Sequence, residues 1–141
     1  MDALPDSPAA VVVVDVANVM GARADGWWRD RAGAALRLCE QVAELAARGV
    51  PGHERAEFVL VLEGRARDAA ARIDARHQRV RVVSAAGSGD DSIVTETASI
   101  AASGMSCLVV TADRELRRRC VRAGATVASP SWLLGLLKQV P

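Results

Sequence analysis

Four aspartates follow apolar, strand-like runs at three separate places in the chain: Asp15, the adjacent pair Asp90 and Asp91, and Asp113. If those runs are parallel strands, their carboxyl ends share one edge of a sheet, and ligands bind in the crevice there. Carboxylates gathered at that edge would repel one another and raise one another's pKa, a penalty that a divalent cation removes. Oxygen ligands without His or Cys suit Mg²⁺ or Mn²⁺. The four aspartates are therefore the candidate metal ligands.

Some of these aspartates also have a purely structural interpretation. An acid at the start of a helix accepts hydrogen bonds from exposed backbone N–H groups and is favoured by the helix dipole. Asp113 fits that role, and Ser88 with Asp91 matches a capping box. We expect one member of the Asp90–Asp91 pair to cap a helix and the other, by a small margin Asp91, to bind metal. For Asp15, which ends an entirely apolar strand, a structural role is a poor explanation and a functional role is favoured.

Strand and helix signals alternate along the sequence. Continuous apolar runs predict buried strands over residues 10–16, 58–62, 80–84, 106–111 and 125–128. A loop is expected from the first strand to Gly26, and helical spacing predicts helices over residues 28–48, 65–76, 90–103, 113–123 and from 130 onward. This alternation implies an α/β three-layer sandwich with a parallel sheet of about five strands covered on both faces.

The bulk composition points to one soluble globular domain. The 141 residues are half hydrophobic and a quarter charged, and the net charge of +1 gives no global basic field. We expect residues 1–9 to be flexible and 10–141 to form the domain. The amino-terminal segment carries acids where a signal peptide needs basic residues, and no apolar run approaches a membrane span. Three scattered cysteines argue against a disulfide framework or a zinc site, so a cytoplasmic location is expected.

Several short segments together carry a family resemblance: Val13–Asn18 (VVDVAN), Gly89–Val94 (GDDSIV), Val110–Leu116 (VTADREL), Gly124-Ala125 and Trp132–Leu134. In this order, over nearly the whole chain, they resemble a bacterial NYN domain of the YacP-like type, within the PIN/flap-nuclease-like superfamily. The resemblance implies a PIN-like, Rossmannoid fold. It also implies Mg²⁺- or Mn²⁺-dependent hydrolysis of RNA phosphodiester bonds.

The resemblance implies catalytic roles for the same acids. Asp15, Asp91 and Asp113 would be direct or water-mediated metal ligands, with Asp90 accessory. Relatives often have Asp at the end of the second strand, where this chain has Glu63. That departure leaves open whether one or two metal ions bind.

Substrate contacts are predicted from residues beside the acids. Asn18 is expected either to orient water or phosphate or to form an Asx turn. Thr111 matches a hydroxyl position of the family. Arg114 and Arg65 lie closest to the acids in sequence and are expected to hold the RNA backbone. The remaining arginines are interpreted as a solvated helix face.

The aromatic residues and histidines are assigned structural roles. Trp27 and Trp28 are interpreted as core residues, with stacking of one indole on an unpaired base as the alternative. Trp132 is expected in the core. His53 and His77 are expected on the surface, away from the acids.

Two further functions are compatible with the sequence. One is a non-catalytic RNA- or protein-binding module that keeps the fold and a structural Mg²⁺. The near-neutral net charge and the presence of Glu63 slightly favour this module. A metal-dependent phosphatase or nucleotide pyrophosphohydrolase is less favoured, because Ala17 occupies the second position of a haloacid-type Asp-x-Asp pair. RNA is the predicted partner and no membrane contact is expected. The sequence leaves open whether the chain forms a homo-oligomer or has a protein partner.

Overall fold

A computed structural model describes residues 9–72 and 79–139. Within these two ranges, five strands form one sheet: β1 (Val11–Asp15), β2 (Glu57–Leu62), β3 (Val80–Ser84), β4 (Cys107–Val110) and β5 (Thr126–Ala128). Their spatial order is β3-β2-β1-β4-β5, and every neighbouring pair is parallel. The predicted α/β class with a five-stranded parallel sheet is confirmed.

The described residues also form five α-helices around the sheet: α1 (Val16–Gly21), α2 (Arg31–Arg48), α3 (Gly89–Ala102), α4 (Arg114–Arg122) and α5 (Pro130–Leu137). Short 3-10 segments cover Trp27–Arg29 and Gly64–Arg72. Each α-helix begins after a residue whose side chain accepts a hydrogen bond from the first turn, namely Asp15, Asp30, Ser88, Asp113 and Ser129. Such caps satisfy backbone N–H groups that have no partner within the helix.

The alternation of side chains along β1 separates two core layers. Val12 and Val14 pack with residues of α1, α2 and α5 on one face of the sheet. Val11 and Val13 pack with residues of α3 and α4 on the other face. Since successive strand residues point to opposite faces, a continuous apolar strand is buried on both sides. The result is the predicted three-layer sandwich.

The strand order creates a crevice beside the central strand. From β1 the chain moves outward to β2 and β3, and then returns to place β4 on the other side of β1. Connections after β1 and β4 therefore leave in opposite directions, which defines a topological switch point. Asp15 and Thr111 stand at the carboxyl ends of these two strands, on either side of it.

Some element boundaries differ from the predictions. The expected loop after the first strand instead begins with α1, because Val16 starts a helix whose apolar residues join the core. The long helix starts at Arg31 rather than residue 28. The helix predicted over residues 65–76 is a 3-10 segment as far as Arg72, and residues 73–76 lie outside the described part.

His53 contradicts the expectation of a surface histidine. It is only 7% exposed, its Nδ1 accepts a 2.7 Å hydrogen bond from the backbone N–H of Ala9, and its ring lies edge-to-face with Trp132. Ala9 is itself buried. Residues 1–8 and His77 are outside the described part.

Two of the three tryptophans pack against the core as expected. Trp27 and Trp132 are partly buried against it, whereas Trp28 is 57% exposed and contradicts a core role.

Within residues 9–72 and 79–139, none of the helices has both the length and the apolar character needed to span a membrane.

Candidate functional site

Asp15 lies at the centre of the candidate site. It is the last residue of β1 and is 7% exposed. Its Oδ1 accepts a 3.3 Å hydrogen bond from the backbone N–H of Asn18, and its Oδ2 accepts a 2.9 Å bond from the Thr111 hydroxyl. Both carboxylate oxygens therefore have a donor, which keeps the side chain in one orientation.

The surroundings of Asp15 disfavour the ionised form of its side chain. Burial raises the pKa of Asp15 from 3.8 to about 6, although the hydrogen bonds from Thr111 and Asn18 act in the opposite direction. The negative charges of Asp90 and Glu63 raise this pKa further. A cation placed near Asp15 would favour the ionised form and offset this penalty.

Thr111 connects Asp15 to the start of α4. Its hydroxyl is fully buried, donates to Asp15 and accepts a 3.2 Å hydrogen bond from the backbone N–H of Asp113. Asp113 caps α4, since its Oδ1 accepts a 2.9 Å bond from the N–H of Leu116. Arg117 donates through Nε to the carbonyl of Thr111. Asp15 and Asp113 therefore border the same crevice.

Asn18 joins the two sides of the switch point. Its Oδ1 accepts a 2.8 Å hydrogen bond from the backbone N–H of Ala112, in the loop that follows β4. The side-chain oxygen is therefore engaged with a distant segment rather than in an Asx turn with its own backbone. This bond positions the loop that carries Asp113.

The members of the adjacent acidic pair face different neighbours. Asp90 is partly buried, and burial followed by the charges of Asp113 and Glu63 raises its pKa. The side chain of Asp91 is 74% exposed and forms a 2.9 Å ion pair with Arg119. Consecutive helical residues point about 100° apart, which agrees with the different surroundings of the two side chains.

The expectation that one member of this pair caps α3 is wrong. Neither aspartate caps α3, because Ser88 does so by accepting from the N–H of Asp90. Asp90, rather than Asp91, is the member whose charge acts on Asp15.

Glu63 is also part of this acidic group. Its Oε2 accepts a 2.7 Å hydrogen bond from the backbone N–H of Gly89, the first residue of α3. A Cβ on Gly89 would lie 2.7 Å from this oxygen, so glycine permits the close approach. Glu63 raises the pKa of both Asp15 and Asp90. The sequence left the role of Glu63 open. Its position directly after the second strand was the signal that placed it at this edge of the sheet.

We call Asp15, Glu63, Asp90 and Asp113 the acidic cleft. Its oxygen-only donors fit Mg²⁺ or Mn²⁺ by chemical type and by charge. Within the described residues, however, no three His, Cys, Asp or Glu side chains are close enough together to hold a metal ion as they stand. Charges influence one another's pKa over distances longer than a metal–ligand bond. The pKa shifts of Asp15 and Asp90 are therefore compatible with side chains that are not yet at ligating distance. Ligation would require side-chain rotation, most readily at the exposed Asp113.

The predicted arginines occupy two places. Arg114 is the exposed first residue of α4, directly after Asp113. Arg65 follows β2 and lines a pocket of about 620 Å³ together with Trp28 and Arg31. Arg119, which the sequence did not single out, is the arginine whose charge acts on Asp90.

The parallel sheet, its strand order and its two helical layers define a PIN-like α/β fold. Two crystal structures of Rae1 (YacP) from Bacillus subtilis share it. The mutant form superposes with a TM-score of 0.70 at 19% identity, covering 99% of this chain and 77% of that chain. The other gives 0.69 at 17%, covering 92% and 74%. The expected YacP-like fold is confirmed. No protein-family model and no curated protein matches the sequence.

Proposed function

We propose that this protein is a metal-dependent ribonuclease that hydrolyses RNA phosphodiester bonds at the acidic cleft. The observation that carries the proposal is the environment of Asp15. This carboxylate is buried at the switch point of the sheet, with its pKa raised to about 6 and with Asp90 and Glu63 adding to the shift. A buried, perturbed acid in such a crevice is a candidate functional group, because a fold gains no stability from keeping its charge there.

The acidic cleft would hold Mg²⁺ or Mn²⁺, which supplies electrostatic stabilisation and activates water at neutral pH. Asp15 would be the central ligand, since its position is held from both sides by Asn18 and Thr111. Asp90 and Asp113 would complete the binding site, and Asp91 would act at its rim through Arg119. Thr111 and Asn18 are positioning residues in this proposal, because their hydrogen bonds go to Asp15 and to the loop after β4.

RNA is the proposed substrate on two grounds. The family resemblance of the sequence implies RNA cleavage, and the YacP-like fold agrees with that resemblance. Exposed arginines flank the cleft at positions 65 and 114 and can hold phosphate groups. These arginines supply local positive charge that the net charge of +1 does not reveal.

Incubation of labelled RNA with Mn²⁺ tests the proposal. Wild-type protein should cleave it, and Asp15→Asn should lose more than about 100-fold in turnover, since even partners of metal ligands typically account for 10–100-fold. Asp25→Asn, which changes an exposed aspartate in the loop after α1, is the matched control. If Asp15→Asn cleaves as fast as wild type at saturating Mn²⁺, the ribonuclease assignment is wrong.

Arg114→Ala distinguishes substrate binding from turnover. It should weaken RNA binding and reduce the dependence of binding on salt, because one phosphate contact is removed. Cleavage at saturating RNA should be largely retained. Asp15→Asn should show the opposite pattern, with near-normal binding and lost turnover.

A non-catalytic RNA-binding module is the second candidate. It is favoured by the absence, within residues 9–72 and 79–139, of three metal-binding side chains already gathered at ligating distance. This candidate predicts that RNA binds equally well with and without Mn²⁺ and is recovered intact.

A further inference from the structure

A pocket lined in part by Gly64 lies next to Glu63 of the acidic cleft. Its volume is about 620 Å³, and it is also lined by an exposed indole and three arginines, namely Trp28, Arg29, Arg31 and Arg65. We call these four residues the arginine–tryptophan pocket. Its lining comes from the segment before α2 and the segment after β2, which both lie at the carboxyl edge of the sheet.

Short chain connections place this pocket next to the cleft. Glu63 belongs to the acidic cleft, and Arg65 follows it by only two residues, so their Cα atoms are at most about 7 Å apart. A strand of RNA bound across the cleft would therefore reach the pocket along the protein surface. The pocket requires no residue of the acidic cleft itself.

Trp28 is exposed and yet held in place. It is 57% exposed. The Arg29 guanidinium lies over its ring at 5.8 Å, and Trp27 meets it in an edge-to-face arrangement at 5.9 Å. Arg31 in turn lies over Trp27 at 5.3 Å. An indole positioned in this way offers a preformed stacking surface.

The arginines of the pocket favour an anionic ligand, and the indole favours a ligand with a flat ring. Asp30 also lines the pocket, but its Oδ1 accepts from the N–H of Gly33 and caps α2, so its charge is directed at the helix end. Asp68 remains as an acceptor, which suits the exocyclic amino group of a base. The three arginines supply donors for phosphate oxygens.

We propose that the arginine–tryptophan pocket binds an unpaired nucleotide of the RNA strand that enters the acidic cleft. The base stacks on Trp28, and the arginines hold the adjacent phosphates. This inference rests on the proposed function for its ligand, but it concerns binding rather than cleavage. It makes single-stranded RNA the preferred substrate, since a base within a duplex is not free to stack on a side chain.

Binding experiments in EDTA test this inference separately from catalysis. The probes are a short single-stranded RNA, the same sequence as a duplex, and a free mononucleotide. Single-stranded RNA should quench tryptophan fluorescence and bind tighter than the other two. Trp28→Ala should weaken its binding about 5- to 100-fold, as expected for one lost base stack. Trp28→Phe should keep most of the affinity and lose most of the quenching.

Two substitutions at the other end of the molecule are matched controls. Met105→Ala removes an exposed apolar side chain from the turn before β4, and Arg48→Ala removes a charge at the carboxyl end of α2. Neither should change RNA affinity strongly, whereas Arg65→Ala should weaken it and lower the salt slope by about one phosphate contact.

The outcomes separate this inference from the ribonuclease proposal. Unchanged binding of single-stranded RNA by Trp28→Ala overturns the inference even if the wild type cleaves RNA. Equal affinity for duplex and single strand, or for the free mononucleotide, also overturns it. Trp28-dependent binding without any cleavage in Mn²⁺ supports the pocket and refutes the ribonuclease. No RNA binding at all overturns both.

Discussion

The hydroxyl of Thr111 donates a 2.9 Å hydrogen bond to Oδ2 of Asp15, and both residues are buried. The two residues are 96 positions apart in the sequence and end two neighbouring strands of the sheet. The bond therefore joins the carboxyl ends of β1 and β4, and it also fixes the central carboxylate of the cleft.

Replacing Thr111 with Val should destabilise the protein at neutral pH. The buried carboxylate of Asp15 would lose its partner, and an unsatisfied buried acceptor costs about 1–3 kcal/mol. Urea unfolding measures the loss. Thr111→Ser keeps the hydroxyl and loses only the methyl group that Thr111→Val retains, so it should be the more stable of the two variants. A loss in Thr111→Ser as large as that in Thr111→Val would contradict a dominant contribution from the hydrogen bond.

Asp15 should make stability depend on pH in a defined direction. Its pKa is about 6 in the folded protein against 3.8 as the ordinary value, so between these pH values the folded state retains a proton that the unfolded state has lost. Stability without metal should therefore fall as pH rises through this window, by on the order of 3 kcal/mol in total.

The variant Asp15→Asn checks this prediction, because an amide does not titrate. Its stability curve should lack the decline between pH 4 and pH 6, on the scale set by the pKa of about 6. The slope is the decisive measurement, since the amide can accept only one of the two hydrogen bonds that the carboxylate receives. Asp25→Asn should retain the wild-type slope. Parallel curves for wild type and Asp15→Asn would contradict the burial argument.

The contact between Glu63 and Gly89 should appear in a double-mutant cycle. Gly89→Ala places a methyl group 2.7 Å from Oε2 of Glu63 and should displace the carboxylate, at a loss of about 1 kcal/mol. In a Glu63→Ala background the same change should be neutral or stabilising by up to about 1 kcal/mol, because alanine favours helix. Thermal unfolding of the four proteins gives the coupling energy, and additive effects would exclude the contact.

Divalent cations should raise the melting temperature through binding to the acidic cleft, since a ligand of the native state stabilises it. Asp90→Asn and Asp113→Asn should each reduce the Mn²⁺-induced shift. Asp91→Asn should reduce it less, because Asp91 is exposed and paired with Arg119. Thermal melts with and without Mn²⁺ provide the measurement. If Asp91→Asn has the largest effect of the three, the assignment of Asp90 to the cleft is wrong.

The sequence alone was sufficient for the architecture and for the positions of the acids along the chain. Continuous apolar runs such as Val11–Val14 identify buried strands, and helical spacing identifies the long helices, because both signals are local. Parallel pairing then places Asp15 and Asp113 at one edge whatever the detailed packing. Glu63 was visible for the same reason, as an acid just beyond a strand.

Local patterns failed where neighbours distant in sequence decide the outcome. Val16 begins α1 instead of extending β1, because Val16, Val19 and Met20 of this helix pack into the core layer formed with α2 and α5. His53 lies in a loop and was expected on the surface, but it is buried, with a hydrogen bond from the N–H of Ala9 and a ring contact with Trp132. Trp28 follows Trp27 in an apolar pair, yet only Trp27 reaches the core.

The tertiary structure also decided the surroundings of each member of the Asp90–Asp91 pair. Sequence spacing could not separate the two, because the rotation of α3 against β1 and α4 leaves Asp90 partly buried, with its charge raising the pKa of Asp15, and leaves Asp91 exposed and paired with Arg119. The hydrogen bonds from Thr111 to Asp15 and from Ala112 to Asn18 depend in turn on β4 lying beside β1. That strand order is a property of the whole packed core, and no local stretch of sequence encodes it.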